Sequence, residues 1–299
     1  MNWVLRSILL SCLISLSCFA WAEKLTVVYP DVKAPYDIIF QKINEGIAEE
    51  FNGEITQIKL PKNFTPSTVA QSIKSDKVIA LGKRGMMVAK QVYQTQPVIV
   101  GALPIKPNGI SGVSLMADPN ILFDSLNELA PKVKIVTVLY TSASAWIMNV
   151  AKEQAIKHDL QLNSIKVDNI RTAVKAYSEI FEHDNLENMA IWLPLDPITA
   201  NDKVIVPTIL EKAWENKMVV FSSKPTHAKR GALFSAMPNN KMLGHQLARM
   251  INTVNYKKRP STVNPLNEIK LAVNLRTAAH LGYNYNMNEK SKFSLTFPK

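Results

Sequence analysis

The sequence predicts an α/β fold in which helices cover parallel sheets. Short apolar runs rich in β-branched residues alternate with segments of helical periodicity, and the alternation occurs in two successive series. The composition agrees, because 47% hydrophobic and 20% charged residues are typical of a chain that buries a sizeable core. The length of 299 residues is enough for two domains of ordinary size.

Residues 1–22 have the features of a cleavable signal peptide. A start with one positive charge is followed by the apolar run Ser7–Phe19 and by Ala20-Trp21-Ala22, a small-x-small cleavage pattern. The apolar run has about 13 residues, whereas a membrane span needs roughly 20. We therefore expect export to the periplasm and a mature chain that starts at Glu23.

Both cysteines, Cys12 and Cys18, lie inside this leader. Neither has the sequence context of a lipid-anchored cysteine, so lipid anchoring is not favoured. The mature chain then has no disulfide, no thiol nucleophile and no Cys-ligated metal. The five histidines show no metal-ligand spacing, so neither a metal nor another cofactor is expected.

The first series of elements predicts an amino-terminal domain over residues 23–115. It alternates strand and helix, as a parallel sheet with helical crossovers requires. The predicted strands are 25–29, 55–60, 77–81 and 97–103, and the predicted helices are 36–51, 67–75 and 86–93.

The second series predicts a carboxyl-terminal domain over residues 116–265, followed by a separate segment, 266–299. The same alternation recurs, which indicates a second domain of the same class. The predicted strands are 133–140, 161–167, 189–193 and 218–221, and the predicted helices are 121–129, 145–158, 173–181, 208–214 and 241–254.

Charge and motifs exclude several function classes. Lys and Arg number 35 against 24 Asp and Glu, but the excess is spread along the chain, with Lys257-Lys258-Arg259 as the one local run. No basic stripe with interleaved aromatics occurs, so nucleic acid is not an expected partner. The G-x-S-x-G, G-x-G-x-x-G and Walker A patterns are absent, and we expect a protein that is not an enzyme.

The candidate binding residues are polar side chains that follow apolar strands, because open α/β sheets bind ligands at the carboxyl ends of their strands. Hydroxyls, one carboxylate and two cations would suit a small zwitterion or anion. The alternative is that they are ordinary turn and cap residues, with Asp196 capping the helix that follows. The candidates are Lys83, Arg84, Thr141, Ser142, Ser144, Asp196, Ser222 and Ser223.

Several segments, in order, resemble the ABC-transporter substrate-binding proteins of the family that includes tryptophan- and tyrosine-binding members. The likeness extends over almost the whole mature chain. It is carried by KVIALGKRGMMVAKQ (77–91), PVIVGAL (97–103), GISGVSL (109–115), LNELAPKVKIVTVLYTSASAW (126–146), IWLPLD (191–196), VVFSSKPTHAKRGALFS (219–235), GHQLARMI (244–251) and VNLRTAAHLG (273–282).

The resemblance implies a type I periplasmic-binding-protein fold, with two Rossmann-like lobes that close over a ligand in the cleft. Residues 266–299 would cross back, with 271–275 and 276–282 packing on the first lobe. The expected partners are a small-molecule ligand and an ABC permease in the inner membrane, and the chain is expected to be a monomer. A periplasmic ligand sensor acting on a membrane receptor, without transport, is the alternative.

Two departures from the family pattern concern the ligand. Where the family has an Asp-Pro pair after the strand PVIVGAL, this chain has Pro104-Ile105-Lys106-Pro107. Lys83 and Arg84 add positive charge where the family is usually neutral. The resemblance places Asp196 where a carboxylate can pair with a ligand ammonium. The added cations indicate either a ligand more anionic than a neutral amino acid or a pocket that no longer serves transport.

Overall fold

The computed structural model describes residues 23–183, 186–255, 257 and 261–298. The predicted signal peptide, residues 1–22, lies outside the described residues, as do Lys258 and Arg259 of the basic run. In the described ranges, no helix has both the length and the apolar character needed to cross a membrane.

The strands fall into two separate sheets, each of which forms the centre of one lobe. The strands are β1 (Glu23–Pro30), β2 (Gly53–Leu60), β3 (Lys77–Leu81), β4 (Val98–Leu103), β5 (Ser111–Ala117), β6 (Ile135–Tyr140), β7 (Gln161–Lys166), β8 (Met189–Leu193), β9 (Val219–Ser222), β10 (Phe234–Pro238), β11 (Val263–Leu266), β12 (Ile269–Asn274) and β13 (Leu295–Phe297).

Helices connect most of these strands, as expected for parallel crossovers. The helices are α1 (Asp37–Glu50), α2 (Pro66–Ser72), α3 (Gly82–Val92), α4 (Pro119–Leu129), α5 (Ala145–Lys157), α6 (Ile170–Ile180), α7 (Ile205–Glu215), α8 (Thr226–Arg230), α9 (Asn240–Thr253), α10 (Leu275–His280) and α11 (Met287–Ser291).

The first lobe is built on a six-stranded sheet in the order β11-β5-β4-β3-β1-β2, and all its pairings are parallel. The run of β3 is almost entirely buried, as expected for a strand covered by helices on both faces. Gly82 directly follows this strand with φ +68°, a left-handed conformation that glycine adopts without strain. The chain therefore turns straight into α3, and Lys83 and Arg84 lie in the first turn of that helix.

The second lobe is built on a seven-stranded sheet in the order β13-β12-β10-β9-β8-β6-β7. Its pairings are parallel except between β10 and β12. An aromatic stack runs through its core: Trp192 lies 5.9 Å from Phe123 and 6.2 Å from Phe221, between ring centroids. The predicted α/β class with mainly parallel sheets is confirmed.

The predicted domain boundaries differ from this arrangement at α9 and β11. Both fall within 116–265, yet β11 pairs with β5 and α9 packs on α1, so both belong to the first lobe. The two helices approach closely, because a Cβ on Gly46 would lie 1.9 Å from the Lys241 carbonyl oxygen. Helical periodicity identifies an apolar face but not the surface that covers it, so the sequence could not assign α9 to a lobe.

The carboxyl-terminal segment was expected on the first lobe but lies on the second. Residues 271–275 and 276–282 were expected on the first lobe, but β12 pairs with β10 and β13, and Val273 and Ala278 lie in the second lobe's core. The described chain thus passes between the lobes three times, after β5, after β10 and after β11. An apolar strand can join either of two sheets, and the sequence pattern does not distinguish them.

Candidate functional site

A cavity of about 440 Å³ lies where the two lobes meet. The 194–203 loop follows β8 of the second lobe and Lys224 follows β9, so most of the wall comes from carboxyl ends of strands in that lobe. The first lobe contributes Pro104, which directly follows β4. The cavity is lined by Pro104, Pro194, Leu195, Asp196, Pro197, Ala200, Asn201, Asp202, Lys203 and Lys224.

Asp196 joins two loops of the second lobe through its carboxylate. Its Oδ2 accepts hydrogen bonds from the Thr141 backbone N–H (3.2 Å), the Thr141 hydroxyl (2.7 Å) and the Ser144 hydroxyl (2.6 Å). Its Oδ1 accepts from the backbone N–H groups of Ile198 (3.0 Å) and Thr199 (3.2 Å). The side chain is 3% exposed. The structure therefore brings together Asp196, Thr141 and Ser144, as a network that fixes the loops after β6 and β8.

Burial alone would raise the pKa of Asp196, but the hydrogen bonds from Ser144, Thr141 and the 198–199 backbone outweigh it. The pKa of Asp196 is therefore below its ordinary value, and the group is a carboxylate at neutral pH. Ser144 stands at the N-cap position of α5, but its hydroxyl caps no backbone N–H of that helix. The hydroxyl donates to Asp196 and accepts from the Thr141 backbone N–H instead.

Ser142 differs from its two neighbours in the loop after β6. Thr141 and Ser144 are buried, whereas Ser142 is exposed. Ser223 is also buried, and its hydroxyl accepts a hydrogen bond from the Trp192 indole N–H at 3.0 Å. Ser223 therefore supports the aromatic stack of the second lobe, while Ser142 presents its hydroxyl to solvent.

Ser222 begins a hydrogen-bonded chain that the sequence analysis did not identify. Its hydroxyl lies 2.8 Å from His227 Nδ1, and His227 Nε2 lies 3.0 Å from Asp202 Oδ1. The residue types are those of a hydrolytic triad, but Ser222 and His227 are both 0% exposed. A buried hydroxyl cannot reach a substrate, so the chain is a structural connection between α8 and the loop before α7.

Two cations, Lys224 and Arg230, and the imidazole of His227 surround Asp202. Lys224 Nζ is hydrogen bonded to Asp202 Oδ2, and Arg230 Nη1 lies 3.1 Å from Oδ1. The hydrogen bond from Lys224 is the largest cause of a lowered pKa at Asp202. Desolvation lowers the pKa of His227 more than Asp202 raises it, so the imidazole is neutral at pH 7.

The two first-lobe candidates have different roles. Arg84 is half-buried, and its Nη1 donates to the backbone carbonyls of Asp31 (2.8 Å) and Leu60 (2.7 Å), which connects the ends of β1 and β2. Lys83 is exposed, and no ion pair forms at it within the part of the chain that the structure describes.

Of the residues that line the cavity, sequence reasoning identified only Asp196, and it missed four polar ones: Asn201, Asp202, Lys203 and Lys224. Lys224 stands two residues after β9, so the rule of polar residues at strand ends could have included it. Lys203 stands ten residues after β8, in a loop longer than that rule considers. Among the described residues, no cluster of His, Cys, Asp and Glu could hold a metal ion.

The two lobes, with strand ends meeting at a cavity between them, define the architecture of a periplasmic-binding-protein-like receptor. The sequence profile of the family described as ABC transporter substrate binding protein matches residues 72–290. The chain belongs to this family, so the resemblance inferred from the sequence is confirmed. No curated protein matches the chain.

Solved structures show the same fold. A Streptococcus pneumonia ABC domain in complex with L-Trp has a TM-score of 0.55 and 22% identity, covering 92% of this chain and 100% of its own. A ligand-free, open substrate binding protein with adhesive properties from Clostridium difficile has a TM-score of 0.60 and 18% identity, covering 92% and 99%. A conserved domain protein from Vibrio cholerae has a TM-score of 0.53 and 18% identity, with the same coverage.

Proposed function

We propose that the chain is the periplasmic solute-binding component of an ABC transporter. It captures a small polar solute, an amino acid or a related anion or zwitterion, in the cleft and delivers it to a permease. The observation that carries the proposal is the cavity of about 440 Å³, because it lies at the carboxyl ends of strands of the second lobe and reaches Pro104 of the first. Family membership supports it, because the family consists of substrate-binding proteins.

The predicted contact residues divide into two groups. Ser142 and Lys83 are exposed and stand at strand ends, so they can meet a solute directly. Asp196 and Arg84 hold loops in place, together with the buried candidates Thr141, Ser144, Ser222 and Ser223. In this proposal the second group orients the cleft, and closure of the lobes brings Lys83 to the bound solute. Arg84 also reaches it, through the N–H groups that its two backbone carbonyls do not use.

A solute screen followed by small-angle scattering tests the proposal. Amino acids, carboxylates and purine-like solutes are screened by the melting temperature of the mature chain, because a solute that binds only the folded state raises it. A positive solute should reduce the radius of gyration of a monomer at saturation. An unchanged radius would contradict closure, and a screen without any positive solute would contradict solute capture.

Delivery to a permease is a separate step and needs its own measurement. Cells that lack the chain should lose high-affinity uptake of the solute found in the screen, and intact-mass analysis of the periplasmic protein should find Glu23 first. Undiminished uptake, together with undiminished binding, would favour the alternative in which the chain reports the solute to a membrane receptor.

A further inference from the structure

We propose that the cleft selects an organic anion with a short apolar body and does not recognise an α-ammonium group. This inference rests on the proposed solute-binding function and names the class of solute for the same cleft. It follows from which donors and acceptors around the cavity have no partner within the described part of the protein and can therefore bind a solute.

The carboxylate oxygens beside the cavity are already occupied. A carboxylate offers about four acceptor positions, and Asp196 accepts five hydrogen bonds from its own loops. Asp202 accepts from His227 and Arg230 at Oδ1 and from Lys224 at Oδ2. A ligand ammonium at Asp196 would have to displace buried donors, and leaving such donors unpaired is costly. Asp202 is more exposed, but the positive charges of Lys224 and Arg230 offset its own charge, so it offers an ammonium little net attraction. Neither carboxylate therefore favours an ammonium.

The groups that stay available are donors. Lys203 lines the cavity and is exposed, and within the described chain its ammonium makes no ion pair or hydrogen bond. Lys224 directs one contact to Asp202 and carries three N–H donors, so it can also bind an anion. Donors without matching acceptors suit a carboxylate or another anionic group.

The edge of the first lobe that faces the cavity is also positively charged. The stretches that follow β1 to β4 are 31–36, 61–65, 82–84 and 104–110, and their only acidic residue is Asp31. Clefts lined by one sign of charge raise the local concentration of ions of the opposite sign. The basic residues in these stretches are Lys33, Lys62, Lys83, Arg84 and Lys106.

Apart from Asn201, whose amide is bonded to its own loop, the rest of the cavity wall is apolar. Proline rings and methyl groups form this part of the wall of the 440 Å³ cavity. The residues are Pro104, Pro194, Leu195, Pro197 and Ala200. Pockets of this kind bind through apolar contact and use a few polar groups for orientation. The solute class is therefore a short branched or aromatic carboxylate whose charged end meets Lys203.

Calorimetric titration with matched pairs tests the inference. The pairs are 4-methylpentanoate with L-leucine, and 3-phenylpropanoate with L-phenylalanine, which differ only in the α-ammonium. The mature chain should bind each carboxylate at least as tightly as its amino acid, and added salt should weaken the carboxylate binding. Lys203→Gln should reduce carboxylate affinity about tenfold. Lys134→Gln, exposed at the opposite end of β6, should not change it.

The outcomes separate this inference from the function on which it rests. An amino acid that binds tenfold tighter than its carboxylate, or an unchanged affinity in Lys203→Gln, would overturn anion selection while solute binding stands. If none of the four compounds binds, the charge of the solute found in the wider screen decides: an anion supports the inference and a zwitterion or cation overturns it. The absence of any binding solute would overturn both proposals.

Discussion

Asp196 and Arg84 occupy corresponding places in the two lobes. Each follows a buried strand at the cleft edge, and each was predicted to contact a ligand. Asp196 accepts five hydrogen bonds within the second lobe and is 3% exposed. Arg84 donates from Nη1 to two backbone carbonyls and is half-buried. The acid is therefore fully engaged, whereas a guanidinium with five N–H groups keeps donors to spare.

This difference separates two roles for charged residues at strand ends. A buried charge with all its partners inside the lobe holds loops in place, and an exposed or incompletely bonded charge can meet a solute. Asp196 therefore fixes the loops after β6 and β8 of the second lobe, while Arg84 and its exposed neighbour Lys83 add positive charge at the first lobe. The expected effects of substitutions follow this division.

The largest effect is expected at Asp196. Asp196→Ala leaves the donors of Thr141 and Ser144 and two backbone N–H groups without their acceptor, in a buried site. The free energy of unfolding should fall by about 3–4 kcal/mol, because several buried donors lose their acceptor and each such loss costs about 1–3 kcal/mol before relaxation. Chemical denaturation of the ligand-free protein measures it. A loss under 1 kcal/mol would show that Asp196 does not hold these loops.

Asp196→Asn is the matched control for this substitution. The amide keeps the size and one acceptor oxygen but replaces the other oxygen with a donor. The free energy of unfolding of Asp196→Asn should lie between that of the parent and that of Asp196→Ala. If Asp196→Asn were as stable as the parent, lost packing rather than lost hydrogen bonds would explain the effect of Asp196→Ala.

Ser144 and Ser142 provide a smaller and sharper comparison within one loop. Ser144→Ala removes a buried hydroxyl that donates to Asp196 at 2.6 Å, and should lower the unfolding free energy by about 2 kcal/mol. Ser142→Ala removes an exposed hydroxyl and should leave stability unchanged within about 0.5 kcal/mol. Equal losses in the two variants would contradict the assignment of Ser144 to the network.

Arg84 should matter less for stability than Asp196. Arg84→Ala removes two hydrogen bonds to backbone carbonyls in a site that water partly reaches, so the unfolding free energy should fall by about 1 kcal/mol. Its exposed neighbour Lys83 is the control, and Lys83→Ala should have no measurable effect. Equal stability of the two variants would show that Arg84 does not connect β1 and β2 in solution.

The sequence predicted the fold class because strand and helix periodicities are local. The sequence did not predict to which lobe α9 and β12 belong. That depends on which surfaces pack together, as in the close approach of Gly46 to Lys241. At the site, the strand-end rule identified Asp196 and Thr141 but not their mutual hydrogen bonds. The Ser222–His227–Asp202 chain could not be predicted, because Asp202 and His227 are far apart in sequence and meet only through the packing of α8.

The smallest expected effect is a pH dependence that originates at His227. Burial holds the pKa of His227 below its ordinary value of 6.5, although Asp202 opposes the shift. As the pH falls below 6.5, the unfolded chain takes up a proton that the folded protein does not, so the free energy of unfolding falls. The fall ends once the pH has passed below the folded-state pKa, because both states are then protonated.

Denaturation at a series of pH values between 7 and about 5 measures this contribution. His227→Gln should flatten the pH dependence, although its overall stability is lower because His227 is completely buried. His183→Gln removes an exposed histidine and should keep the slope of the parent. If His227→Gln instead made the stability fall more steeply with falling pH than in the parent, His227 would be charged in the folded protein, and its contact with Asp202 would be an ion pair. The Asp202 cluster would in that case carry one more positive charge beside the cleft, and selection of an anionic solute would strengthen as the pH falls.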